Sequence, residues 1–379
     1  MTLQILTQIQ EIDEASWQAI VADAHPFYSY PFLSALEKHH CVGPELGWLP
    51  RHLVWRNPNN EIIGILPQYL KLNSYGEFVF DWAWADALQR TGRAYYPKLV
   101  SCIPYTPVTG KRLFINNDSM VLKKQFIQKI IQYAAEQNIS SWHCLFPSLE
   151  DKQLMINEGL LHRVDCQFHW TNNNYTNFDD FLTHFSSRKR KNVRKERQKV
   201  AATGIQIEVL HGADMDRRTW ALIYPFYAET FFKKGGVPTL SLEFFIELSE
   251  KMGENIVVIT ALYQQEYVAA AICFRNQDTL FGRHWGCKQA FDSLHFELCY
   301  YQGIEYAIKE KLYKFEPGAQ GLHKISRGFL PTATWSTHWI RDADFKHAIK
   351  RHLALEQKAV LEHIETLKQH SPFRKNGPK

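Results

Sequence analysis

The chain has 379 residues, 45% of them hydrophobic and 14% aromatic, and a formal net charge of +5. This length favours two ordinary domains, and the composition is that of a packed globular protein, which excludes a largely disordered chain. Segment 188–199 holds eight of the 44 Lys and Arg residues but one of the 39 Asp and Glu residues, which leaves 36 basic and 38 acidic residues elsewhere, so the basic character is local.

The first half of the chain predicts an α/β domain that opens with helices. Periodicity places helices over 14–24 and 31–40, followed by strands over 51–56 and 62–70 around a turn rich in Asn. The remaining predicted elements are an amphipathic helix over 119–137 and strands over 75–81, 98–103, 111–115, 141–146 and 160–170.

The second half repeats this order. Its predicted elements are a helix over 178–202, a strand over 205–210, helices over 217–232 and 242–252, strands over 256–263, 267–275 and 279–285, a helix over 294–311, strands over 313–316 and 334–340, and a helix over 342–369. The repetition predicts two tandem α/β (α+β) domains, 1–170 and 171–379, each with a mixed central sheet flanked by helices.

The basic segment belongs to the helix that opens the second domain, with its basic part over 186–202. At about 100° per residue the apolar side chains of this helix form a stripe about 120° wide, and nearly all basic side chains lie outside it. The stripe consists of Phe178, Phe181, Leu182, Phe185, Val193 and Val200. The basic face predicts phosphate binding by Arg188, Arg190, Lys191 and Arg194, and a solvated helix face is the alternative.

Several sequence motifs belong to one family pattern. They are YPFLSALE at 30–37, FDWAWAD at 80–86, YYPKL at 95–99, PVTG at 107–110, SSRKRKNVRK at 186–195, RHWGC at 283–287, HFE at 295–297 and EPGAQGLHK at 316–324. Together they resemble the Fem-like (FemAB-type) members of the GNAT acyltransferase superfamily, a bacterial group of uncharacterised N-acetyltransferase-like or peptidoglycan-related proteins. The resemblance implies two tandem GNAT-like domains and transfer of an acyl or aminoacyl group to an amine.

Two donors are compatible with this resemblance. GNAT enzymes use acyl-CoA, but the loop after the strand over 279–285 lacks their Gly-x-Gly pattern, and loop 104–110 contains two prolines that remove amide donors. Fem-type enzymes use aminoacyl-tRNA and carry a long helical arm, for which the 25 residues of 178–202 are too few. The acceptor implied is a small molecule or a cell-wall precursor.

The candidate catalytic residues lie in the second half. Glu297, in the first turn of a predicted helix, is a candidate base or amine anchor, although an acid there also complements the helix dipole. His284 and His323 are further candidates, and a packing role is the alternative for His284. Lys324 and Arg327 are candidate ligand anchors in a glycine-rich loop that permits close backbone approach.

The candidate substrate-binding residues lie in the first half, and we expect the ligand cleft between the two domains. Acids alternate with tryptophans just after a predicted strand, a pattern that suits an amine or sugar substrate but also an ordinary aromatic loop. The candidates are Asp81, Trp84, Asp86, Tyr96 and Lys98.

Other functional classes find little support in the sequence. The His39-His40-Cys41 run lacks partners at ligand spacing, and the seven cysteines are scattered, so neither a metal site nor a disulfide framework is predicted. The first 17 residues do not resemble a signal peptide, and no apolar run is long enough for a membrane span, which predicts a cytoplasmic protein. The competing hypothesis is a non-catalytic GNAT pair that binds RNA or another anion through the basic helix.

Overall fold

The computed structural model describes residues 1–22, 25–233, 235–319 and 321–374. The chain forms two compact units: the first comprises Met1–Asp165 and Ala333–Glu362, and the second comprises Cys166–Thr332 and His363–Lys379. The end of the helix predicted over 14–24 and Gln320 of the glycine-rich loop lie outside the described residues.

The strands reproduce most of the predicted pattern. In chain order they are β1 Thr2–Leu6, β2 Trp48–Pro50, β3 His52–Arg56, β4 Ile62–Leu66, β5 Tyr69–Lys71, β6 Lys98–Ser101, β7 Phe114–Ile115, β8 Ser141–Leu145, β9 Leu161–Thr171, β10 Gln206–His211, β11 Ile256–Tyr263, β12 Glu266–Arg275, β13 Thr279–Cys287, β14 Lys314–Glu316 and β15 Leu330–Ile340.

The helices begin in most cases at a side chain that accepts a hydrogen bond from the first turn, such as Ser119 or Asp216. They are α1 Glu14–Val21, α2 Tyr30–Lys38, α3 Trp82–Gln89, α4 Met120–Glu136, α5 Leu149–Asn157, α6 Phe178–Thr183, α7 Ser187–Ala201, α8 Arg217–Phe232, α9 Leu242–Met252, α10 Leu294–Phe296, α11 Gln302–Lys309 and α12 Ala343–Lys368. A π-helical turn, Glu297–Tyr301, joins α10 to α11.

Each unit contains a mixed sheet built in the same order. In the first unit β2, β5 and β6 form an antiparallel meander, β8 pairs parallel with β6, and β15 runs antiparallel to β8. In the second unit β10 to β13 form the meander, β14 pairs parallel with β13, and β9 runs antiparallel to β14. Helices connect the parallel strands in both units. The prediction of mixed central sheets flanked by helices is therefore confirmed.

The first unit contains a second sheet, with the antiparallel order β1, β3, β4 and β7. The apolar face of α4 packs with residues of both sheets in a core that includes Trp55, Phe126 and Trp142. Burial of such large side chains is the main source of stability for the sheets.

Several predicted elements differ from the structure. The strand predicted over 62–70 is divided into β4 and β5, which belong to different sheets. The helix predicted over 178–202 is interrupted after Thr183, where Ser186 adopts an extended conformation and its amide donates to the carbonyl of Pro372. The strand predicted over 75–81 is absent, because Gly76 and Phe78 have positive φ angles that prevent regular pairing. The apolar stripe is confirmed, since all six of its residues are buried.

Candidate functional site

The parallel pairing in the second unit ends before β13 does, and we call the end of this pairing the β13–β14 divergence. The register of the two strands ends at Phe281 opposite Glu316, whereas β13 continues along β12 to Cys287. A strand that loses its neighbour can offer backbone groups to a ligand, and oriented backbone donors can polarise a carbonyl. This divergence is the arrangement that a GNAT-type donor site requires.

The equivalent divergence in the first unit is filled by a side chain of the protein. The register between β6 and β8 ends at Ser101 opposite Cys144. Arg112, which is fully buried, donates from Nε to the carbonyl of Leu145 at 2.9 Å and from a terminal nitrogen to that of Val108 at 2.5 Å. The Arg112 guanidinium therefore satisfies backbone acceptors in the first unit that would face a donor.

The glycine-rich loop that follows β14 buries a lysine. Lys324 is only 2% exposed, and its ammonium donates to the carbonyl of Gly318 at 2.7 Å. Among the described residues no carboxylate forms an ion pair with Lys324. Burial lowers the pKa of Lys324 to about 8. A buried ammonium without a counter-charge is a natural partner for an anionic ligand or a developing oxyanion.

Arg327 fixes this loop to the basic helix. Its guanidinium donates to both carboxylate oxygens of Glu196, at 2.7 and 3.2 Å, and to the carbonyl of His323 at 2.7 Å. It also lies 3.4 Å from the ring centre of Phe296. These contacts satisfy most of its donors, so Arg327 orders the loop rather than presenting a free charge.

His323 is exposed on the same loop. Its Nε2 lies 2.8 Å from the hydroxyl of Tyr300, and its ring centre is 5.9 Å from that of His295. Partial burial, Arg327 and Lys324 all lower the pKa of His323. A neutral imidazole at neutral pH is able to accept a proton from an amine.

Glu297 begins the π-helical turn and is buried in an ion pair. Both of its carboxylate oxygens accept from Nε of Arg197, at 3.1 and 3.2 Å, and Gln302 donates to Oε1 at 2.8 Å. Single π-helical turns are frequent at functional sites. The carboxylate itself is held by its partners, so the geometry favours a positioning role over the predicted role as a base.

His284 lies against the helices α8 and α9. Its ring packs edge-on against Tyr227, with centres 4.6 Å apart, and lies near Phe245. Burial and the neighbouring Arg283 lower its pKa well below the usual range. In the described part of the chain its ring contacts involve neither Glu297 nor His323, so the structure does not group His284 with them.

The basic helix α7 packs against the π-helical turn and the glycine-rich loop. Its later cations are paired: Arg194 with Asp179 at 3.1 Å, Arg197 with Glu297, and Lys199 with Asp292 at 2.5 Å. Its first turn contains no acid. Among the described basic side chains of α7, those without an ion pair are Arg188, Lys189, Arg190, Lys191 and Lys195. Four cations at the positive end of a helix dipole are unfavourable unless an anion binds there.

In the first unit, Lys98 is the centre of a buried polar cluster. Its ammonium donates to Asp81 at 2.5 Å, to Glu77 at 2.8 Å and to the hydroxyl of Ser74 at 2.9 Å. Burial alone would lower the pKa of Lys98, but the two carboxylates raise it above the usual value. Burial also opposes ionisation of Asp81, yet Lys98 brings its pKa down to about 2.

Most of the predicted substrate-binding residues adjoin this cluster. The hydroxyl of Tyr96 lies 2.8 Å from that of Ser74, and the Trp84 ring packs edge-on against His338 at 4.9 Å. Asp86 does not join them: it is exposed and pairs with Arg90 at 2.6 Å on the outer face of α3. Asp86 is two residues from the buried Trp84 and Leu88, about 200° around the helix, so it faces away from the cluster.

The sequence interpretation missed several members of the cluster. Tyr95 donates to Asp81 at 2.5 Å and lies 3.3 Å from Nε2 of His143, whose Nδ1 is 2.5 Å from Nδ1 of His338. Burial, followed by Lys98, lowers the pKa of His143 to about 3. These histidines are neighbours because β8 and β15 pair at these positions. That pairing has no local signal in the sequence.

Across the described ranges, no group of three or more His, Cys, Asp or Glu side chains is arranged to hold a metal ion. In the same part of the chain, every helix is too short or too polar for a transmembrane span.

Comparison with known proteins identifies relatives at the level of family and fold. A family model named FemAB-like and described as peptidoglycan biosynthesis/recognition matches residues 8–375. No curated protein matches the chain. The crystal structure of FemX aligns with a TM-score of 0.54 at 10% identity, covering 92% of this chain and all of FemX.

Two further solved structures share the fold. The C-terminal domain of a putative lysylphosphatidylglycerol synthetase from Agrobacterium fabrum has a TM-score of 0.51 at 10% identity, covering 90% of this chain and 96% of that domain. L-PGS from Bacillus licheniformis has a TM-score of 0.50 at 10% identity, covering 96% of this chain and 98% of the other. The predicted Fem-like fold is thereby confirmed.

Proposed function

The chain belongs to the FemAB-like family, and from this membership we propose that it transfers an acyl or aminoacyl group to an amine of a cell-wall precursor or small molecule. The buried, unpaired ammonium of Lys324 beside the β13–β14 divergence carries the proposal. In such a transfer the amine attacks a thioester or ester carbonyl, and negative charge develops on the carbonyl oxygen. Lys324 would stabilise that charge where burial strengthens the interaction.

The other residues of the second unit take supporting roles. His323 would accept the proton that the amine loses, because its lowered pKa keeps the ring neutral. Arg327 would position the loop, and Glu297 would position Arg197. The thiolate or ribose hydroxyl of the donor leaves as the carbonyl re-forms.

The first turn of α7 is the proposed site for the donor phosphates. Arg188, Arg190 and Lys191 form no ion pair in the described residues, and α7 packs against the Lys324 loop. Both acyl-CoA and aminoacyl-tRNA carry phosphates, and their contacts with this turn would weaken with added salt. We propose no metal. The cluster around Lys98 in the first unit is buried and its charges are paired, so we assign it a structural role.

A transfer assay with Lys324→Ala tests the proposal. With acyl-CoA and aminoacyl-tRNA tried separately on a panel of amines, we expect kcat/KM to fall by about 10²–10³, as when an oxyanion donor is removed. Lys324→Arg should restore part of the activity, and Lys309→Ala, at an exposed lysine of α11, should leave it unchanged. Equal activity of Lys324→Ala and the wild type would contradict the role of Lys324.

Charge reversal separates transfer from binding alone. The variant Arg188→Glu/Lys191→Glu should strongly weaken donor binding and flatten the salt dependence of the binding that remains. If tRNA or another anion binds the wild type through this turn while neither donor supports transfer to any amine, the chain is a binding protein and the enzymatic proposal fails.

A further inference from the structure

Segment 72–82, which comprises the loop between β5 and α3 and the first residue of α3, exposes large apolar side chains. We call residues 72–82 the aromatic loop. Its exposed members, between 36% and 70% accessible, are Leu72, Tyr75, Phe78, Phe80 and Trp82. The ring centres of Phe80 and Trp82 lie 5.2 Å apart, and those of Tyr75 and Trp82 lie 6.2 Å apart. The rings of Tyr75, Phe80 and Trp82 therefore form one patch, and a contiguous apolar patch on a folded protein indicates an interaction site.

The aromatic loop has an inverted polarity. From residue 77 to residue 82 the side chains alternate between inside and outside, but the acids Glu77 and Asp81 point inward and the aromatic residues point outward. The inward acids bind the Lys98 ammonium, and Ser74 does the same. The hydrophobic effect by itself favours the opposite arrangement, with the aromatic rings buried and the acids exposed. The buried lysine thus fixes a loop whose outer surface is apolar.

The outer surface of the aromatic loop also lacks charge. Both of its charged side chains, Glu77 and Asp81, are buried, and the nearest exposed charges along α3 are the paired Asp86 and Arg90. The planes of Phe80 and Trp82 are inclined by 41°, and those of Tyr75 and Trp82 by 58°. Inclined rings do not form the flat platform on which sugar rings or nucleobases stack.

We propose that the aromatic loop docks the first unit onto a lipid bilayer, with Phe80, Trp82 and Tyr75 entering the interfacial region. Tryptophan and tyrosine prefer this region, and bilayer binding increases with buried apolar area. A stable protein interface uses about 20–30 residues a side, many more than the five exposed apolar side chains of this loop. The proposal does not depend on the transfer chemistry of the second unit.

Vesicle binding of the full-length chain tests this proposal. Phosphatidylcholine vesicles, with and without phosphatidylglycerol, are sedimented with the protein, and quenching by brominated lipid reports tryptophan depth. We expect binding to phosphatidylcholine vesicles with little effect of salt, because the loop is uncharged. Phosphatidylglycerol should add a salt-sensitive component through the unpaired cations of α7, and that component does not depend on the loop. Phe80→Ser/Trp82→Ser should lower the partition coefficient by about tenfold or more, because the apolar area of two rings no longer enters the bilayer.

The controls use other exposed positions of the first unit. Val121→Ser/Leu149→Ser, at two exposed apolar residues outside the loop, should bind like the wild type, as should Trp82→Phe. Thermal melting confirms that each variant is folded. The proposal is overturned if the wild type binds neither vesicle, if Phe80→Ser/Trp82→Ser binds normally, or if binding requires anionic lipid and disappears with salt. It is also overturned if the loop variant dissociates a dimer instead of releasing vesicles.

Discussion

Lys98 in the first unit and Lys324 in the second are both almost completely buried, yet their surroundings differ. Lys98 donates to two carboxylates and a hydroxyl, and these acids raise its pKa. Lys324 donates to one backbone carbonyl, and burial lowers its pKa to about 8. A buried cation that is already paired stabilises its own loop, whereas one without a counter-charge retains its attraction for a ligand.

Lys71 shows that a buried lysine without an acidic partner does not by itself indicate a ligand site. It is fully buried in the first unit, and burial lowers its pKa to about 7. Its ammonium lies 3.6 Å from the ring centre of Trp48 and donates to the carbonyl of Tyr75 at 3.2 Å. The ring face partly replaces the lost hydration. What distinguishes Lys324 is its place in a glycine-rich loop beside diverging strands.

The largest expected effect is at Lys98. Lys98→Met leaves Glu77 and Asp81 buried without their cation, so one or both must be protonated or hydrated at the expense of packing. Removing one partner from a buried ionic cluster typically destabilises by about 3–5 kcal/mol. Urea unfolding at pH 7 should show a loss of this size, and the aromatic loop should become susceptible to proteolysis before the rest of the first unit.

The matched control is a surface lysine of the same unit. Lys124 is exposed and lies 3.4 Å from Glu158, so Lys124→Met should change the unfolding free energy by less than about 1 kcal/mol. A loss at Lys98 no greater than the loss at Lys124 would show that the buried pairing contributes little.

Much of the fold that holds these lysines could be predicted from the sequence. The repeated order of elements gave the two mixed sheets, and the apolar periodicity of the basic helix correctly identified its six buried residues. Asp81, Lys98 and Lys324 were named as candidates because of their motifs. Sequence patterns report local periodicity well, since the side chains on one face of a helix or strand follow a fixed spacing.

The partners of those residues could not be predicted. Glu77 and Lys98 are 21 residues apart, and His143 and His338 meet only through pairing of β8 with β15. The alternation around Phe80 predicted a strand, but the positive φ angles at Gly76 and Phe78 make this segment a loop. The alternation of buried and exposed side chains is present in the structure, but it occurs in a loop held by the contacts of Lys98 and not in a strand.

The second expected effect, at Lys324, is a gain in stability, and it is smaller than the loss expected at Lys98. Below about pH 8 the native state must carry a buried ammonium, so Lys324→Met should raise stability by up to about 3 kcal/mol at pH 7, the equivalent of the pKa difference between about 8 and 10.5. Between these values the unfolded chain binds more protons than the native chain, so wild-type stability rises with pH. The advantage of the variant should therefore shrink through this range and vanish above it.

Urea unfolding from pH 6 to 11 measures this difference directly. Lys309→Met provides the exposed control and should show no such pH dependence. If Lys324→Met is less stable than the wild type at pH 7, the ammonium has a counter-charge in solution, and the contrast with Lys98 is lost.

The smallest expected change in stability is at Glu297 of the second unit. Glu297 is paired with Arg197, as Glu77 and Asp81 are paired with Lys98, so it belongs with the structural ion pairs rather than with Lys324. Glu297→Gln keeps an oxygen for Gln302 but removes the charge facing Arg197, which is itself partly exposed. Charge-assisted hydrogen bonds contribute about 1.5–3 kcal/mol, and partial exposure screens them, so we expect a loss of about 1–2 kcal/mol.

Transfer activity distinguishes positioning from base catalysis at Glu297. If Glu297 only positions Arg197, Glu297→Gln should lower kcat/KM by less than about tenfold and keep the wild-type pH profile, because no proton acceptor is lost. The double variant Glu297→Gln/Arg197→Met, which removes both charges together, should recover part of the stability. A loss of about 10³ or more with normal stability, together with a missing acidic limb in the pH profile, would identify Glu297 as the base and make the second unit's ion pair part of its chemistry.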